Sequence, residues 1–490
     1  MEENFAMSFK GSTSLSGGSQ FEVKNRSEDG SFKEVATTEV RKMCEPFLFD
    51  SSELSEIMKL FEQQLDTALS EGVKEKGLRP NSVFVTDLSQ QMEPGTYIVI
   101  NFKGVYYSVS LVTITKDSEA SEPDETMYVI PKVVRNSSYE QFFNYICETV
   151  YDFLSVRNLT EQDHDMAICI SFPTEQKSPT EAYITSWTKE FSAEDVVGRN
   201  LGECFAASFS RLGLKITLRA IVNDAVSLLA CYASEDQECK MGLIVGLGVN
   251  CCYFEDKDRL GSEWSVPEKV EKVVISTECG SFGDDGCIEF MRTSYDRKVD
   301  ERSINPGCRI FEKMLSMQYV GELCRLAILE AIAKKEIFEG YLPEKLTFPN
   351  SFTTEQMCRI DSEPSNEYTA VEVMLREQFK IECFRTSDLA NVRYICRAVI
   401  SRAASLVAAV SACLIKRMQE QRTIIAVQGG LFRLSPTFSN LLLKNMLEVL
   451  PDDQEFVLKR MEGGSSRGAL VLAAQAVHMS KLSQIGILAE

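Results

Sequence analysis

Apolar residues recur along the chain with two spacings, one typical of strands and one typical of helices. Two apolar runs of strand length, 96–102 and 105–114, are separated by Lys103-Gly104 and predict a β-hairpin. The apolar run 242–254 predicts a second hairpin. Further strands are predicted at 127–134, 166–171, 214–222, 273–276, 423–427 and 455–458. Helices are predicted at 51–71, 139–156, 225–231, 319–335, 363–380, 392–418 and 469–479.

The order of these elements repeats once along the chain. A hairpin, a strand and helices are followed by a second hairpin, a strand and more helices. Two α/β halves that each begin with a glycine-containing hairpin predict two similar lobes around a cleft. Proteins with this organisation usually bind their ligands in the cleft.

Composition and charge narrow the class of ligand. The chain has 490 residues, 44% of them hydrophobic, which is enough for two or three domains with substantial cores. Its net charge of −20 argues against nucleic acid or an anionic membrane surface as the main partner, because an acidic protein repels both. An anionic substrate such as ATP then needs locally placed cations or a metal ion.

The cysteines and the apolar segments bear on redox state and location. Sixteen Cys are scattered without a Cys-x-x-Cys pair, so we expect reduced structural thiols rather than zinc ligands or disulfides, and no metal site. The Ser- and Gly-rich segment 1–44 predicts a disordered tail and contains no apolar secretory segment. The apolar stretch 403–415 is too short to span a bilayer and predicts a core helix. We therefore expect a cytoplasmic protein with no membrane span.

Short polar islands follow the apolar runs between residues 171 and 301. Their amide, hydroxyl, ammonium and carboxylate groups suit a polyol, because each sugar hydroxyl needs a placed donor or acceptor. Each island alone also has a structural explanation; Asn223-Asp224 at a strand end, for example, is often only a helix cap. The islands are Ser171-Phe172-Pro173, Trp187-Thr188-Lys189, Asn223-Asp224, Gly246-Leu247-Gly248-Val249-Asn250, Glu278-Cys279-Gly280 and Asp300-Glu301.

Taken together and in this order, the islands resemble the hexokinase family, which includes glucokinase. The resemblance covers roughly residues 45–485. It implies an α/β protein with the two-lobed, actin-like and ribonuclease-H-like ATPase fold, and a sugar site in the cleft between the lobes. The implied domains are an N-terminal helix packing on the large lobe at 45–87, a small lobe at 88–222 joined by the terminal helix 469–490, and a large lobe at 223–468.

The resemblance also implies a substrate site and a reaction. The reaction is the ATP-dependent phosphorylation of a hexose at its carbon-6 hydroxyl, the step at the entry to glycolysis, with Mg-ATP as the phosphoryl donor. Asp224 would be the general base, and Lys189 would stabilise the developing charge. The implied sugar ligands are Ser171, Thr188, Lys189, Asn223, Asp224, Asn250, Glu278 and Glu301. The implied nucleotide-side residues are Gly104, Gly246, Gly248, Thr354, Gly429 and Ser465.

The implied nucleotide side departs from the family pattern. The family's first phosphate loop reads Asp-x-Gly-Gly-Thr-Asn-x-Arg, and its adenosine-side motif reads Val-Asp-Gly-Ser/Thr. Each buried polar contact that is lost removes roughly 1–3 kcal/mol. The departures are Asn101 for Asp, Lys103 for the first Gly, Val105 for Thr and Ser108 for Arg in the first loop, Leu247 for Thr in the second, and Gln428 and Gly430 for Asp and Ser/Thr in the adenosine-side motif.

Three hypotheses follow, because the sugar side keeps the family's residues while the nucleotide side has lost several of them. The first is an ATP-dependent hexose kinase with a weakened nucleotide site. The second is an inactive pseudokinase that senses glucose or regulates a protein partner. The third is a scaffold that uses the fold for protein contacts alone, and the preserved sugar residues argue against it.

Overall fold

The structure is a computed structural model that describes residues 20–21, 36–83, 91–117, 119–188, 190–264, 266, 270–364, 367–461 and 463–484. Most of the predicted tail over 1–44 lies outside these residues, as does the end of the predicted terminal helix, 485–490. The prediction of disorder is wrong for Thr38–Cys44, which forms a helix with Val40 and Cys44 buried.

Two large sheets and one short ribbon contain the strands of the described residues. A seven-stranded sheet has the order β1-β14-β13-β10-β11-β12-β2, a five-stranded sheet has the order β5-β4-β3-β6-β9, and β7 pairs with β8. The strands are β1 (Gln20–Phe21), β2 (Asn81–Val83), β3 (Gly95–Lys103), β4 (Tyr106–Ile114), β5 (Asp124–Val129), β6 (Asp163–Ile170), β7 (Thr174–Gln176), β8 (Ala182–Ile184), β9 (Lys215–Asn223), β10 (Cys239–Val245), β11 (Val249–Asp256), β12 (Lys272–Ser276), β13 (Arg422–Gln428) and β14 (Glu455–Arg460).

Helices cover the faces of both large sheets. They are α1 (Thr38–Cys44), α2 (Ser51–Glu71), α3 (Lys132–Arg135), α4 (Tyr139–Ser155), α5 (Leu201–Arg211), α6 (Asp224–Ala233), α7 (Ser294–Glu301), α8 (Ile310–Leu315), α9 (Val320–Ala333), α10 (Thr354–Asp361), α11 (Thr369–Val373), α12 (Thr386–Met418), α13 (Gly430–Leu434), α14 (Pro436–Val449) and α15 (Gly464–Gln484).

Both predicted hairpins are present, and both turn toward the same region of the molecule. β3 and β4 pair antiparallel with Lys103 opposite Tyr106, and β10 and β11 pair antiparallel with Val245 opposite Val249. The predicted strand 127–134 is too long, because β5 ends at Val129 and Pro131, which lacks an N–H for the ladder, precedes α3.

Helices α6 and α15 lie between the two large sheets and join them into one core. One cluster of buried residues combines Val99 and Val222 of the five-stranded sheet, Ala426 of the seven-stranded sheet, and Leu229 and Ala473 of these two helices. The outer faces are packed separately: α4 and α5 cover the five-stranded sheet, while α2 and α12 belong to the core on the far side of the seven-stranded sheet. The molecule therefore has two lobes that share a helical middle layer, as the fold class predicts.

Two predicted helices differ from the structure. The predicted helix 363–380 is wrong for its first part: α11 begins only at Thr369, and it continues as a wider π-helical turn over Met374–Gln378. Pro364 disfavours a helical conformation at Glu363, so the helix does not begin there. Helix α12 has 33 residues rather than the predicted 392–418, and by length and composition it could cross a membrane. Of its most apolar 18-residue window, 94% is buried inside the protein.

Candidate active-site cleft

A cleft of about 170 Å³ opens where the ends of strands from both large sheets meet. Two sides of it differ in chemistry. The carboxylate side is formed by Asn223, Asp224, Asn250, Glu278, Arg309 and Glu312. The glycine side is formed by Asn101, Gly104, Gly246, Gly248, Gln428, Gly429 and Ser465.

The amide of Asn250 is the centre of the carboxylate side. Asn250 is the second residue of β11, and its Nδ2 donates to Asn223 Oδ1 at 3.2 Å, Ser276 Oγ at 3.0 Å and Glu278 Oε1 at 2.9 Å. Its Oδ1 is buried and has no hydrogen-bond partner among the described residues. A buried acceptor without a donor is costly, so this oxygen is suited to accept a hydrogen bond from a ligand hydroxyl.

Asp224 is placed by the junction of a strand and a helix. Asn223 ends β9, and its side-chain oxygen accepts from the backbone N–H of Ala225 at 3.0 Å, which caps α6. Asp224 is therefore the first residue of this helix and lines the cleft. Its carboxylate thus lies at the N-terminal end of α6, on the same side of the cleft as Asn250 and Glu278.

Glu278 lies where β12 has ended and the chain turns sharply. Its φ of 49° is in the left-handed region, which is uncommon for a residue with a side chain and is found often at functional sites. Burial raises the pKa of Glu278 above its usual value, and the nearby Asp224 raises it further, while Arg309 lowers it. This carboxylate is thus easier to protonate than an exposed glutamate.

Arg309 and Glu312 form a buried ion pair next to Glu278. Arg309 Nε and Nη2 donate to Glu312 Oε1 and Oε2, both at 2.8 Å, and Nη1 lies 3.6 Å from Glu278 Oε2. Burial lowers the pKa of Arg309, but Glu312 and Glu278 raise it by more, so the guanidinium stays charged. Glu312 also accepts from the backbone N–H of Val249 at 2.9 Å. A methyl group added at Gly248 would lie 2.6 Å from Glu312 Oε2, so this glycine makes room for the carboxylate.

Sequence reasoning missed Arg309 and Glu312. Both line the cleft, and Asp284 fixes the start of α8, because its carboxylate accepts from the N–H groups of Arg309 at 2.9 Å and Ile310 at 2.8 Å. A signal was present in the sequence: Glu312 interrupts the apolar run of α8, where a charge is buried only when it has a partner.

Six of the eight predicted sugar ligands line the cleft: Ser171, Thr188, Asn223, Asp224, Asn250 and Glu278. Lys189 lies outside the described residues. Glu301, the exposed last residue of α7, does not line the cleft in this structure, and its role as a sugar ligand stays a prediction. The inward-facing residue of this turn is its neighbour Asp300, which pairs with Lys313 at 2.7 Å and Arg292 at 3.1 Å, and the next residue along a helix points elsewhere.

The glycine side is closed by hydrogen bonds within the protein. Asn101 Nδ2 donates to Ser466 Oγ at 2.6 Å. Gln428 Oε1 accepts from the backbone N–H of Ser465 at 3.2 Å and from its hydroxyl at 2.9 Å. Helix α15 begins at Gly464, five residues before the predicted start at 469. The polar groups on this side are thus largely paired with one another.

Thr354 does not line the cleft. Its side chain is buried, and its hydroxyl donates to the carbonyl of Met317 at 2.5 Å and accepts from the backbone N–H of Gly321 at 3.1 Å. The predicted residues Gly104, Gly246, Gly248, Gly429 and Ser465 do line it. Within the described ranges, no three His, Cys, Asp or Glu side chains converge as metal ligands.

This chain is similar in sequence to known hexokinases. Two family models, both described as hexokinase, match residues 39–234 and 240–475. Hexokinase of Schistosoma mansoni is 32% identical over 442 residues, which is 90% of this chain and 98% of that protein. Hexokinase-1 of Mus musculus is 29% identical over 438 residues, but the match spans only 44% of the mouse protein.

Solved structures agree with this relationship. The hexokinase of Schistosoma mansoni complexed with glucose superimposes with a TM-score of 0.84 at 32% identity, covering 89% of this chain and 98% of that one. A second hexokinase crystal structure has the same fold, with a TM-score of 0.73 at 24% identity and the same coverage of both chains. The family models, a relative that matches over nearly its whole length and the shared fold all agree. This chain belongs to the hexokinase family.

Proposed function

We propose that this protein binds a hexose on the carboxylate side of the cleft and transfers the γ-phosphoryl group of Mg-ATP to it through a weakened nucleotide site. The observation that carries the proposal is the network around Asn250, in which one amide links Asn223 and Glu278 and keeps a buried acceptor that none of the described residues satisfies. A neutral polyol suits this network, because its hydroxyls both donate and accept.

Asp224 is the residue we propose as the general base. It borders the Asn250 network at the start of α6, where a hydroxyl held by Asn223 and Asn250 comes within reach. In the transfer, the carbon-6 oxygen forms a bond to the γ-phosphorus, the bond from that phosphorus to ADP breaks, and the hydroxyl proton passes to Asp224. Ser171 and Thr188, which also line the cleft, would complete the sugar contacts.

The fit of the residues to Mg-ATP is poor on the glycine side. Asn101 carries no charge and already donates to Ser466, while Gln428 accepts twice from Ser465. Lys103 is exposed at the rim of the cleft and is a cation that a phosphate could meet. These contacts favour a second candidate function: a glucose-binding protein that transfers nothing and acts on a protein partner.

Glucose-dependent ADP formation separates the two candidates. The full chain is assayed with saturating glucose and Mg-ATP, and Asp224→Ala is the blank. Loss of a general base costs about 10²–10⁴-fold in rate, so turnover above background should vanish in the variant.

Hexose binding is measured in the same samples by tryptophan fluorescence. Of the two tryptophans, Trp187 adjoins the cleft residue Thr188 and stacks on Phe191 with ring centroids 5.1 Å apart, and Trp264→Phe removes the signal of the other. Binding without turnover would replace the kinase with the second candidate. A wild-type protein that binds no hexose would contradict both.

A further inference from the structure

Met317 lies where three of the segments predicted for the nucleotide side come together. It follows α8 and precedes α9, and its backbone N–H donates to the carbonyl of Gly246 at 2.9 Å. Its own carbonyl accepts from the hydroxyl of Thr354 at 2.5 Å. Two of the segments that the family resemblance assigns to the nucleotide are therefore bonded to one residue that the sequence patterns did not single out.

The side chain of Met317 reaches the third segment. A methyl group added at Gly430 would lie 2.0 Å from Met317 Sδ and 2.7 Å from its Cε, so the thioether rests directly on this glycine. Gly430 follows Gly429 and opens α13. Any side chain at position 430 would collide with Met317, and the reverse also holds: whatever occupies the surface of Gly430 must displace the thioether.

The backbone of Met317 has little freedom to move aside. Both of its polar groups are bonded, and Thr354, which holds its carbonyl, is itself held by the N–H of Gly321. The thioether also packs against the large core cluster on this side of the seven-stranded sheet. Methionine is flexible at its side-chain torsions, so a bound molecule would gain the space only by selecting a rotamer away from Gly430.

We infer that Met317 determines access of the nucleotide base: its thioether occupies the surface of Gly430 that a purine ring would cover, and a shorter side chain admits the nucleotide. The inference rests on the proposed function, since it concerns the donor of that reaction. If the open rotamer is populated about a tenth of the time, the apparent affinity for the nucleotide is reduced about tenfold.

The test is titration with the fluorescent nucleotide mant-ATP and Mg²⁺ at saturating glucose, on wild type, Met317→Ala and Met317→Gly. We expect both variants to bind mant-ATP about tenfold more tightly than wild type. Met92→Ala is the control, because Met92 is also partly buried but packs against the core cluster that lies between the two large sheets. Retained hexose binding, measured by Trp187 fluorescence, shows that each variant is folded.

Competition with inorganic tripolyphosphate distinguishes a base site from general loosening. Tripolyphosphate has no base, so its affinity should be the same in wild type and in Met317→Ala. Equal mant-ATP affinity in wild type and variants would overturn the inference, and so would a matching gain for tripolyphosphate. Neither result would change what is concluded about hexose binding or turnover, because both are measured separately in the wild type. Tighter mant-ATP binding without turnover would support Met317 and contradict phosphoryl transfer.

Discussion

The two sides of the cleft use their polar side chains differently. On the carboxylate side, Asn250 keeps a buried oxygen that has no hydrogen-bond partner in the described part of the chain, and burial keeps the pKa of Glu278 raised. On the glycine side, Asn101 and Gln428 are paired with serines of α15. A site that binds a ligand keeps groups available at a cost in stability, whereas a surface that binds nothing is free to satisfy its own groups. This difference indicates that the carboxylate side of the cleft is organised to bind a ligand.

The largest effect should come from breaking the buried ion pair of the carboxylate side. Arg309→Met leaves Glu278 and Glu312 buried without their cation, which should reduce the free energy of unfolding by about 3–5 kcal/mol. Urea unfolding measures this loss. Arg297→Met is the matched control: Arg297 is 47% exposed and pairs with a 48% exposed Glu289, so it should cost less than about 1 kcal/mol. Equal losses in the two variants would contradict a tightly built carboxylate side.

The next effect concerns hexose recognition. Glu278→Gln keeps the shape of the side chain but removes the charge, and hydrogen bonds to charged groups contribute about 1.5–3 kcal/mol, so glucose affinity should fall roughly 10–150-fold. Isothermal titration with glucose measures it. Glu148→Gln makes the same chemical change on the exposed face of α4, away from the cleft, and should leave the affinity unchanged. An equal loss in both variants would contradict a role for Glu278 in hexose recognition.

More of the fold than of the candidate site could be predicted from the sequence. Strand and helix spacing identified both hairpins and located the core helix α12, because those patterns record burial along a single element. Pairings between distant elements leave no such pattern. Nothing in the local sequence shows that Arg309 faces Glu278, that Asp300 rather than Glu301 points inward, or that Met317 rests on Gly430.

The glycine side shows the same limit of prediction from sequence, namely that contacts between distant residues leave no local pattern. The altered residue of the glycine-rich nucleotide motif, Gln428, could be identified from the sequence, but the contact that its side chain makes could not. Gln428 reaches Ser465 in α15, 37 residues away. The start of that helix at Gly464 was also missed, since Gly-Ser-Ser is typical of a loop and only packing of Ser465 and α15 against α6 favours the helix here.

The pH dependence of hexose binding should sharpen the account of the carboxylate side. Burial and Asp224 raise the pKa of Glu278, so it becomes protonated at a higher pH than an ordinary glutamate. A protonated Glu278 accepts hydrogen bonds from sugar hydroxyls less well than the carboxylate does. Glucose affinity should therefore fall by up to about tenfold per pH unit as the pH drops through this raised pKa. In Glu278→Gln that fall should be absent. A fall that persists in Glu278→Gln would assign the titration to another group.

Stability should respond to pH with the opposite sign. Burial raises the pKa of Asp284 to about 6, which is above its usual value of 3.8. The folded protein then holds this proton over a range in which the unfolded chain has released it. The stabilisation is fully present below the unfolded pKa and is lost as the pH rises through about 6. Urea unfolding of the wild type between pH 4 and pH 7 should show this decline, and Asp284→Asn should lose that part of it.

The smallest effect is expected from restoring the glycine side. Asn101→Asp combined with Val105→Thr returns a carboxylate and a hydroxyl to the hairpin, and Ser466 can then donate to the new carboxylate in place of accepting from the amide. If the hairpin between β3 and β4 is still shaped for phosphate, Mg-ATP affinity should rise about fivefold, or roughly 1 kcal/mol. Asn136→Asp with Val133→Thr makes the same changes at the exposed helix α3 and should have no effect. Because Met317 still covers Gly430 in this variant, the gain should become larger when Met317→Ala is added, and simple additivity would mean that the phosphate and base regions act independently.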